Sequence, residues 1–597
     1  MSYKQTSLFP PTPTTTRGLA TKLSAHKDKI VYTNGKAVIN PLLATAYVGH
    51  VQNTTVARIS PSGYYCASAD VTGTVRVWDT VGEDQILKGE YRVISGRIND
   101  LEWDGESKRI IAVGDGREKF GHAFMMDSGS STGEISGHAK AINAVSIRHQ
   151  RPFRAATSGD DGSIVFHQGA PYKYDKTIRT HTKFVQDVRY APSGDHFASV
   201  GSDSKVFLYD GKIGETISEF TDNPHKGGIT ACSWSPDSRA FATSSADCTV
   251  KLWDVETHKA TTTWSLGSGV NNQQVGNVWT READIVSLSL SGELNILDAR
   301  VGDKPPRVIT GPQKSITAVA PSSAGTFLAG TADGRVVEYT TASGEAMSVL
   351  GPGHTSIVVG LAAGSSGKVF SAGYDDRVRE IGAGGPSASF SDASIATASQ
   401  PKSIASATDG DGTVFVVESG GGVEAIRNNQ KVAHLPATHF TPSTVGVSAG
   451  GKLVAIGGED HKVRLYEWSG TAFTEVGLLE GNKAVISAIE FSPDGALLAA
   501  GDLITSRWSF HSARVNSLAW TADSKHCASG SLDTHVYVWS VDNPTRNIAL
   551  KNAGPGGVNG VLWVGGGNMG TGKGGRGNLV SAGADGCVRV WDVVFHA

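Results

Sequence analysis

The sequence predicts an all-β fold built from many copies of one short unit, and three observations support this prediction. Residues 68–79 read S-A-D-V-T-G-T-V-R-V-W-D, in which Val75 and Val77 alternate with Arg76 after a turn that contains Asp and Gly. Alternation over a short run indicates a half-buried strand, and the Asp/Gly turn indicates a hairpin. The chain also contains 73 Gly and only 5 Met, which favours tight turns over helices. The pattern recurs in segments that end at Asp254, Ser540 and Asp592.

The spacing of these copies is the period of β-propeller blades. Repeats of about 40–45 residues that close on Trp-Asp are typical of WD-repeat propellers. Fourteen repeats can be counted along the chain, including weaker copies that lack the Trp. Because single rings usually hold four to eight blades, the count predicts two seven-bladed WD-repeat β-propellers in tandem.

The expected boundaries follow from the repeats. Residues 1–14 form an N-terminal segment, residues 15–312 the N-terminal propeller and residues 313–597 the C-terminal propeller. The last repeat ends near Val593 with almost no chain left for its outer strand. We therefore expect residues near Lys4 to Phe9 to supply that strand and to close the second ring.

The twelfth repeat is truncated near residues 501–508. Its first two strands are recognisable, but only four residues, L-I-T-S, then separate Gly501-Asp502 from Arg507-Trp508. Roughly fifteen residues that would carry the third strand are missing from the repeat. The two explanations are an omission in the gene model or in splicing, and a genuinely short blade. Peptide mapping across residues 501–508 distinguishes them.

Composition excludes several classes of partner. The formal net charge is −3, from 54 basic and 57 acidic residues, which argues against general attraction to nucleic acid or membrane. No stretch reaches the roughly 18 apolar residues of a membrane helix. The 5 Cys are scattered without a C-x-x-C pair, as expected for free buried thiols in a reducing compartment. We expect a soluble cytoplasmic protein, a monomer, with no cofactor and no structural zinc.

One repeat contains a combination of residues that resembles a hydrolase triad. His225, Asp247 and either Ser244 or Ser245 lie close in sequence, together with Trp253. The favoured interpretation is a buried chain of hydrogen bonds that fixes the blade, because buried polar groups must find partners. A catalytic Ser-His-Asp arrangement is the less favoured alternative.

Two further features resemble a nucleotide-binding loop and a metal site, but neither is predicted to be one. Residues 567–573 read G-N-M-G-T-G-K, but Gly574 stands where a phosphate loop needs Ser or Thr for magnesium. A flexible loop is the favoured interpretation.

Five histidines of the N-terminal half are candidate metal ligands by residue type: His122, His138, His149, His167 and His181. They have no metal-ligand spacing within one element. No enzymatic activity is therefore predicted.

Charged and aromatic residues cluster in three short stretches of the N-terminal half. Residues 114–121 read G-D-G-R-E-K-F-G, residues 171–174 read P-Y-K-Y, and residues 181–184 read H-T-K-F. Aromatic side chains beside charged ones are the composition of a protein interface. The alternative, scattered surface residues with no common role, stays open on these features alone.

These stretches are also where the chain resembles the actin-interacting protein 1 family, WD-repeat cofactors of cofilin. The specific matches are residues 114–121 and 181–188, and the similarity, which spans nearly the whole length, includes residues 98–103, I-N-D-L-E-W. The resemblance implies binding to actin filaments decorated with cofilin, promotion of severing and disassembly, and capping of barbed ends. It also implies a location on the actin cytoskeleton, in cortical actin patches. The alternative is a general WD-repeat scaffold for another complex, because one fold hosts many functions.

The resemblance further implies which residues form the binding surface. Glu118 follows the Arg of the G-D-G-R-E match, Asp160 is the first Asp of a G-D-D turn, and Phe184 ends H-T-K-F. Tyr174 ends P-Y-K-Y, where the family often has Phe, so the ring is kept and a hydroxyl is added. Tyr174 and Phe184 are the expected anchors. The expected charged contacts, made to actin or cofilin, are Glu118, Asp160, Arg117 and Lys183.

Overall fold

The computed structural model describes residues 2–595 except 28, 42–44, 83, 281–283, 302–306, 324, 383–387, 437–438, 503–509 and 565–574. The described residues form β-strands and two short 3-10 helices, Val270–Asn272 and Ser365–Gly367. None of their helices is long and apolar enough to cross a membrane. The phosphate-loop-like residues 567–573 and residues 503–508 of the truncated repeat lie outside the described residues.

The described chain divides into two compact units. One unit is Thr12–Thr310, called here the first propeller, and the other combines Met1–Pro11 with Gly311–Ala597, called the second propeller. The strands of the described residues form thirteen four-stranded antiparallel sheets and one two-stranded sheet. The sheets are numbered 1 to 14 in chain order, and the first strand of each is its inner strand.

The first propeller contains sheets 1 to 7, and in each sheet the four strands pair in sequence order. Their bounds are Ser24–His26, Lys29–Asn34, Ala37–Asn40 and Thr45–Tyr47 in sheet 1; Thr54–Ile59, Tyr65–Asp70, Thr74–Asp79 and Leu87–Arg92 in sheet 2; Gly96–Trp103, Arg109–Gly116, Gly121–Met125 and Ser131–Glu134 in sheet 3; Ile142–Ile147, Arg154–Gly159, Ile164–Gln168 and Lys173–Ile178 in sheet 4; Val185–Tyr190, His196–Gly201, Val206–Asp210 and Thr216–Glu219 in sheet 5; Ile229–Trp234, Ala240–Ser245, Thr249–Asp254 and Ala260–Ser265 in sheet 6; Gln274–Trp279, Asp284–Ser289, Leu294–Asp298 and Arg307–Ile309 in sheet 7.

The seven sheets of this unit form a closed ring. Each inner strand contacts the inner strand of the next sheet, and the inner strand of sheet 7 contacts that of sheet 1. The Thr21 N–H donates a hydrogen bond of 2.8 Å to the Val275 carbonyl across the closure. Leu23 and Tyr32 pack with Val286 in one buried cluster that joins the first and last sheets. Burial of apolar residues between neighbouring sheets therefore holds the ring together.

The second propeller contains sheets 8 to 14. Their bounds are Ile316–Ser323, Thr326–Thr331, Val336–Thr340 and Glu345–Ser348 in sheet 8; Val358–Ala363, Val369–Gly373, Arg377–Gly382 and Ser389–Ala396 in sheet 9; Pro401–Ser406, Val414–Glu418, Gly422–Arg427 and Gln430–Pro436 in sheet 10; Pro442–Val447, Leu453–Gly458, Val463–Trp468 and Phe473–Leu479 in sheet 11; Ala488–Phe491 and Leu498–Gly501 in sheet 12; Val515–Trp520, His526–Ser531, Val536–Ser540 and Asn547–Leu550 in sheet 13; Val558–Val564, Arg576–Gly583, Val588–Val594 and Ser2–Phe9 in sheet 14.

The fourth strand of sheet 14 comes from the other end of the chain. Ser2–Phe9 pairs antiparallel with Val588–Val594, and the buried Phe9 ring packs 5.1 Å from the ring of Tyr339 in sheet 8. The Asn559 side-chain amide donates a hydrogen bond of 2.7 Å to the Ile316 carbonyl, which also joins sheets 14 and 8. This ring is therefore closed by a hydrogen bond between inner strands and by the first strand of the chain.

Sheet 12 differs from the other thirteen sheets because only two of its strands lie in the described residues. Leu498–Gly501 pairs with Ala488–Phe491 and with no other described strand. Residues 502–514 separate it from the next inner strand, whereas residues 532–557 occupy the same interval in sheet 13. The short interval matches the truncation found in the sequence.

Candidate interaction surface

The geometry of the sheets fixes which loops share one end of the first propeller. Because neighbouring strands are antiparallel, the loop that enters each inner strand lies at the same end as the turn between the second and third strands. This end is called here the upper end. The stretches singled out by the sequence lie on these loops, apart from residues 171–174, which lie at the beginning of the outer strand of sheet 4.

A repeated hydrogen-bonded device holds the upper loops of sheets 4, 5 and 6. In sheet 5, His181 Nδ1 lies 3.0 Å from Asp203 Oδ1, and His181 Nε2 lies 2.8 Å from the Ser199 hydroxyl. The next backbone N–H, that of Thr182, donates to the same carboxylate at 2.9 Å. His138 with Asp161, and His225 with Asp247, repeat this arrangement. Each entering loop is therefore fixed to the turn of its own sheet.

The structure shows which hydroxyl lies beside His225 in sheet 6. His225 Nε2 lies 2.8 Å from the Thr243 hydroxyl, which also accepts a hydrogen bond of 2.8 Å from the Trp253 indole. Neither Ser244 nor Ser245 takes this position. Ser244 faces the other side of the strand and bonds to Ser287, while Ser245 donates to the carbonyls of the entering loop. Side chains alternate along a strand, so a shift of one residue changes the face.

The titration of these groups agrees with a structural role. Burial alone would raise the pKa of Asp203, but hydrogen bonds from His181 and Thr182 outweigh it and lower the pKa to about 2. Burial also lowers the pKa of His225 from its ordinary value, despite the neighbouring Asp247. In sheet 6, hydrogen bonds from His225 and Thr249 outweigh the effect of burial and lower the pKa of Asp247, so the device there pairs an ionised carboxylate with a histidine whose charged form burial disfavours.

Arg117 and Glu118 lie in the turn between the second and third strands of sheet 3. Both side chains are exposed to solvent. The Arg117 N–H donates to the Ser95 carbonyl at 3.2 Å, which fixes the turn against the entering loop of the same sheet. In the described residues, no hydrogen bond or ion pair joins Glu118 to the other predicted site residues.

Asp160, Lys183 and Phe184 are brought together where sheet 4 meets sheet 5. The Asn143 amide donates to Asp160 Oδ1 at 2.7 Å and to the Val185 carbonyl, next to Phe184, at 3.1 Å. Asp160 is half-buried, whereas Lys183 is exposed and Phe184 is 48% exposed. One oxygen of Asp160 thus accepts a hydrogen bond from Asn143, and the same amide holds the backbone next to Phe184.

Tyr174 lies on the outer strand of sheet 4 and is 49% exposed. Its ring lies against Gly137, since a Cβ on Gly137 would stand 2.7 Å from Tyr174 Cδ2. The Tyr174 hydroxyl lies 3.2 Å from the Thr177 hydroxyl. The ring therefore reaches toward the loop that enters sheet 4, because Gly137 leaves room for it.

Sequence reasoning missed two structural elements of this unit. Asn143, which links Asp160 to sheet 5, has no motif of its own, although Asn99 likewise donates its amide to a carbonyl of the next inner strand, that of Ile142. The other is a buried ionic cluster beside a cavity of about 270 Å³ that is lined by inner strands. In it Asp100 contacts Arg58 and Arg189, and Asp187 contacts Arg189 and Lys22.

The described residues contain no group of three His, Cys, Asp or Glu side chains that could hold a metal ion. All five cysteines are buried and free of disulfide bonds. The surface consists instead of exposed aromatic rings and charged side chains on fixed loops, an arrangement suited to contact with another macromolecule.

Comparison with known families identifies the repeats. The family model described as WD domain, G-beta repeat matches seven segments of the chain, at residues 41–79, 172–210, 214–254, 303–339, 473–506, 503–540 and 550–592. The segments fall in both propellers. The predicted all-β fold of WD-repeat propellers is thereby confirmed.

Full-length relatives give the family of the whole chain. Actin-interacting protein 1 of Drosophila melanogaster is 36% identical over 99% of this chain and 98% of its own length. WD repeat-containing protein 1 of Gallus gallus is 36% identical over 100% of both chains. Actin-interacting protein 1 of Caenorhabditis elegans is 37% identical over 99% of this chain and 100% of its own length. The chain therefore belongs to the family of actin-interacting protein 1 and WD repeat-containing protein 1.

Proposed function

We propose that this protein binds actin filaments decorated with cofilin and promotes their severing and disassembly. It would also cap the barbed ends of the fragments and act in the cytoplasm, at cortical actin patches. The observation that carries the proposal is the exposed Phe184, held by the Asn143 link beside Asp160, in a family whose named relatives are actin-interacting proteins.

Phe184 and Tyr174 are the proposed anchors of the contact. About half of each side chain is exposed, although exposed aromatic surface is unfavourable in water. Their backbone lies in strands or pinned loops, so little conformational entropy is lost on binding. Aromatic anchors on a rigid frame are the side chains that dominate interface energies.

The charged residues set orientation and association rate. Glu118, Arg117 and Lys183 are exposed, and charges at the rim of an interface mainly steer encounter and exclude wrong partners. Asp160 is the fourth proposed charged contact, and the Asn143 amide that donates to it also holds the backbone next to Phe184.

The mechanism is a shift of filament populations rather than catalysis. A protein that binds the cofilin-altered filament more tightly than the bare filament stabilises the altered state by the ratio of the two affinities. No covalent bond in the filament needs to break, so the role requires no catalytic residue and no cofactor.

Co-sedimentation and filament microscopy test this function. The full chain is mixed with actin filaments, with and without cofilin, and its pelleting and the severing frequency are measured. We expect pelleting and severing that depend on cofilin. Equal pelleting with and without cofilin would contradict the proposed dependence on cofilin. Absence of pelleting in both cases would contradict actin binding itself.

A further inference from the structure

Three lysines lie on neighbouring loops at the upper end of the first propeller. Lys140, Lys183 and Lys226 occupy the loops that enter sheets 4, 5 and 6, and all three side chains are exposed. None of them forms an ion pair with another described residue. Because sheets 4, 5 and 6 are successive neighbours in the ring, the three loops form an arc, called here the lysine arc.

The backbone of the lysine arc is held rigidly by the histidine–aspartate device. The N–H of Ala139, next to Lys140, donates to Asp161 at 2.9 Å. The N–H of Thr182, next to Lys183, donates to Asp203 at 2.9 Å, and the Lys226 N–H itself donates to Asp247 at 2.8 Å. The device thus fixes the backbone positions from which the three lysine side chains extend before any partner binds, which lowers the entropic cost of ordering the loops on binding.

The same device keeps its carboxylates away from solvent, because the side chains of Asp161, Asp203 and Asp247 are only 13%, 3% and 11% exposed. Asp161, Asp203 and Asp247 are directed at their histidines and backbone N–H groups. In the second propeller, Lys314 and Lys483 also lie on entering loops, and the Lys483 N–H donates to Asp502 at 2.9 Å, but the histidine loops of sheets 9 and 13 have no lysine next to His354 and His511. The arc is therefore defined by three neighbouring sheets, 4 to 6, whose entering loops each combine the histidine–aspartate device with a lysine.

We propose that the lysine arc binds an acidic segment of a protein partner, one rich in Asp or Glu side chains. This proposal rests on the proposed function, because it assigns a chemistry to the partner surface that faces Phe184. Three lysine ammonium groups that extend from rigid loops, one of them next to the exposed Phe184 in sequence, match the carboxylates of an acidic segment. Asp115, Glu118 and Asp222 are exposed at the same end. These acids would repel a uniformly charged phosphate backbone, so a protein surface with both signs fits better than nucleic acid.

A binding assay with a model acid tests the arc directly. A fluorescent oligoglutamate peptide is titrated with the full chain, and its anisotropy is followed at low and at physiological ionic strength. We expect saturable binding that weakens with salt. In the triple variant Lys140→Glu, Lys183→Glu, Lys226→Glu we expect at least about tenfold weaker binding, since like charges repel the peptide.

Two further variants control for folding and net charge. The milder triple Lys140→Gln, Lys183→Gln, Lys226→Gln removes the charges without adding acids and should also weaken binding. The matched control is Lys88→Glu, Lys212→Glu, Lys259→Glu, which changes the same charge on exposed residues at or near the opposite end of the same propeller. We expect the control to bind the peptide like the parent. Equal loss in the control would overturn the proposal.

The outcomes separate this proposal from the function on which it rests. If the parent binds oligoglutamate through the arc but does not pellet with filaments, the proposed function fails and the acid site stands. If the parent pellets with filaments and the Lys→Glu triple pellets equally well, the arc is not the contact and the proposal is overturned. Equally tight, arc-dependent binding of single-stranded DNA would also overturn it, because the site would then recognise any polyanion.

Discussion

Arg189 Nη2 lies 2.7 Å from Asp100 Oδ2, although the two residues belong to sheets 5 and 3 of the first propeller and are 89 positions apart. Asp100 also accepts hydrogen bonds from Arg58 of sheet 2. Its side chain is fully buried, and the charges of Arg189 and Arg58 outweigh the effect of burial and lower its pKa to about 2. One carboxylate therefore connects three of the seven sheets.

The first prediction concerns the stability of that connection. Asp100→Ala leaves two buried guanidinium groups without their shared partner, so we expect the first propeller to lose about 3–5 kcal/mol of unfolding free energy. Denaturant unfolding followed by Trp fluorescence measures the loss. The control is Glu215→Ala, which breaks an exposed ion pair with Lys176 and should cost about 1 kcal/mol or less. Equal losses of unfolding free energy in the two variants would show that the buried cluster stabilises the propeller no more than an exposed ion pair does.

The second prediction concerns pH. Burial lowers the pKa of His50, His225, His354 and His511. Below the ordinary histidine pKa of about 6.5, the unfolded chain binds more protons than the folded chain. The contribution of these histidines to the unfolding free energy is therefore fully present above that pH. It declines as the pH falls toward their lower pKa values in the folded protein. We expect the melting temperature to drop between about pH 7.5 and about pH 5.5. In His225→Asn the melting temperature of the first propeller should depend less on pH. A rise in the melting temperature of the parent protein on acidification would contradict this prediction.

The third prediction concerns the strand that comes from the beginning of the chain. Phe9 is 6% exposed and packs against Tyr339, so Phe9→Ala should destabilise the second propeller by about 3–5 kcal/mol. Calorimetry resolves this transition from that of the first propeller, which should keep its midpoint. Tyr3 is the matched aromatic on the same strand but is 39% exposed, so Tyr3→Ala should cost much less. A shift in the first propeller instead would refute the assignment of this strand.

The fourth prediction concerns the proposed anchor. Phe184→Ala should leave both melting transitions unchanged and weaken binding to cofilin-decorated filaments by about tenfold or more, as expected for an interface hot spot. Tyr64 is the control, because it is 61% exposed on a loop at the opposite end of the same propeller. Tyr64→Ala should bind and sever like the parent. If Phe184→Ala also does so, the anchor lies elsewhere.

The fold class was predictable from the sequence because its signals are local. The strand Thr74–Asp79 and the turn before it show apolar–polar alternation, an Asp/Gly turn and a Trp within a dozen residues. The spacing between copies of this segment gives the repeat period of a propeller. The hydroxyl partner of His225 was not predictable in the same way. Thr243, Ser244 and Ser245 are adjacent, and only the register of the sheet decides which of them faces the histidine.

The buried ionic cluster and the Asn143 link could not be predicted because their partners are distant in sequence. Lys22 contacts Asp187 across 165 positions, and Asn143 reaches Val185 across 42. No rule of sequence spacing predicts such pairs, because their members become neighbours only in the closed ring. The residues predicted for the interaction surface remain predictions. The structure adds that the Asn143 amide, which donates to Asp160, also donates to the Val185 carbonyl next to Phe184.

The pairing of Ser2–Phe9 with Val588–Val594 has a consequence for how the protein is made. A ribosome produces the first of these strands at the start of synthesis and the second at its end, 584 positions later along the chain for the bond between Thr6 and Val590. All strands of the first propeller emerge in between, so that ring can finish while the opening strand still waits for its neighbour. During this interval the opening strand exposes an unpaired edge, and a chaperone or an N-terminal fusion that occupies it would delay only the ring that closes last.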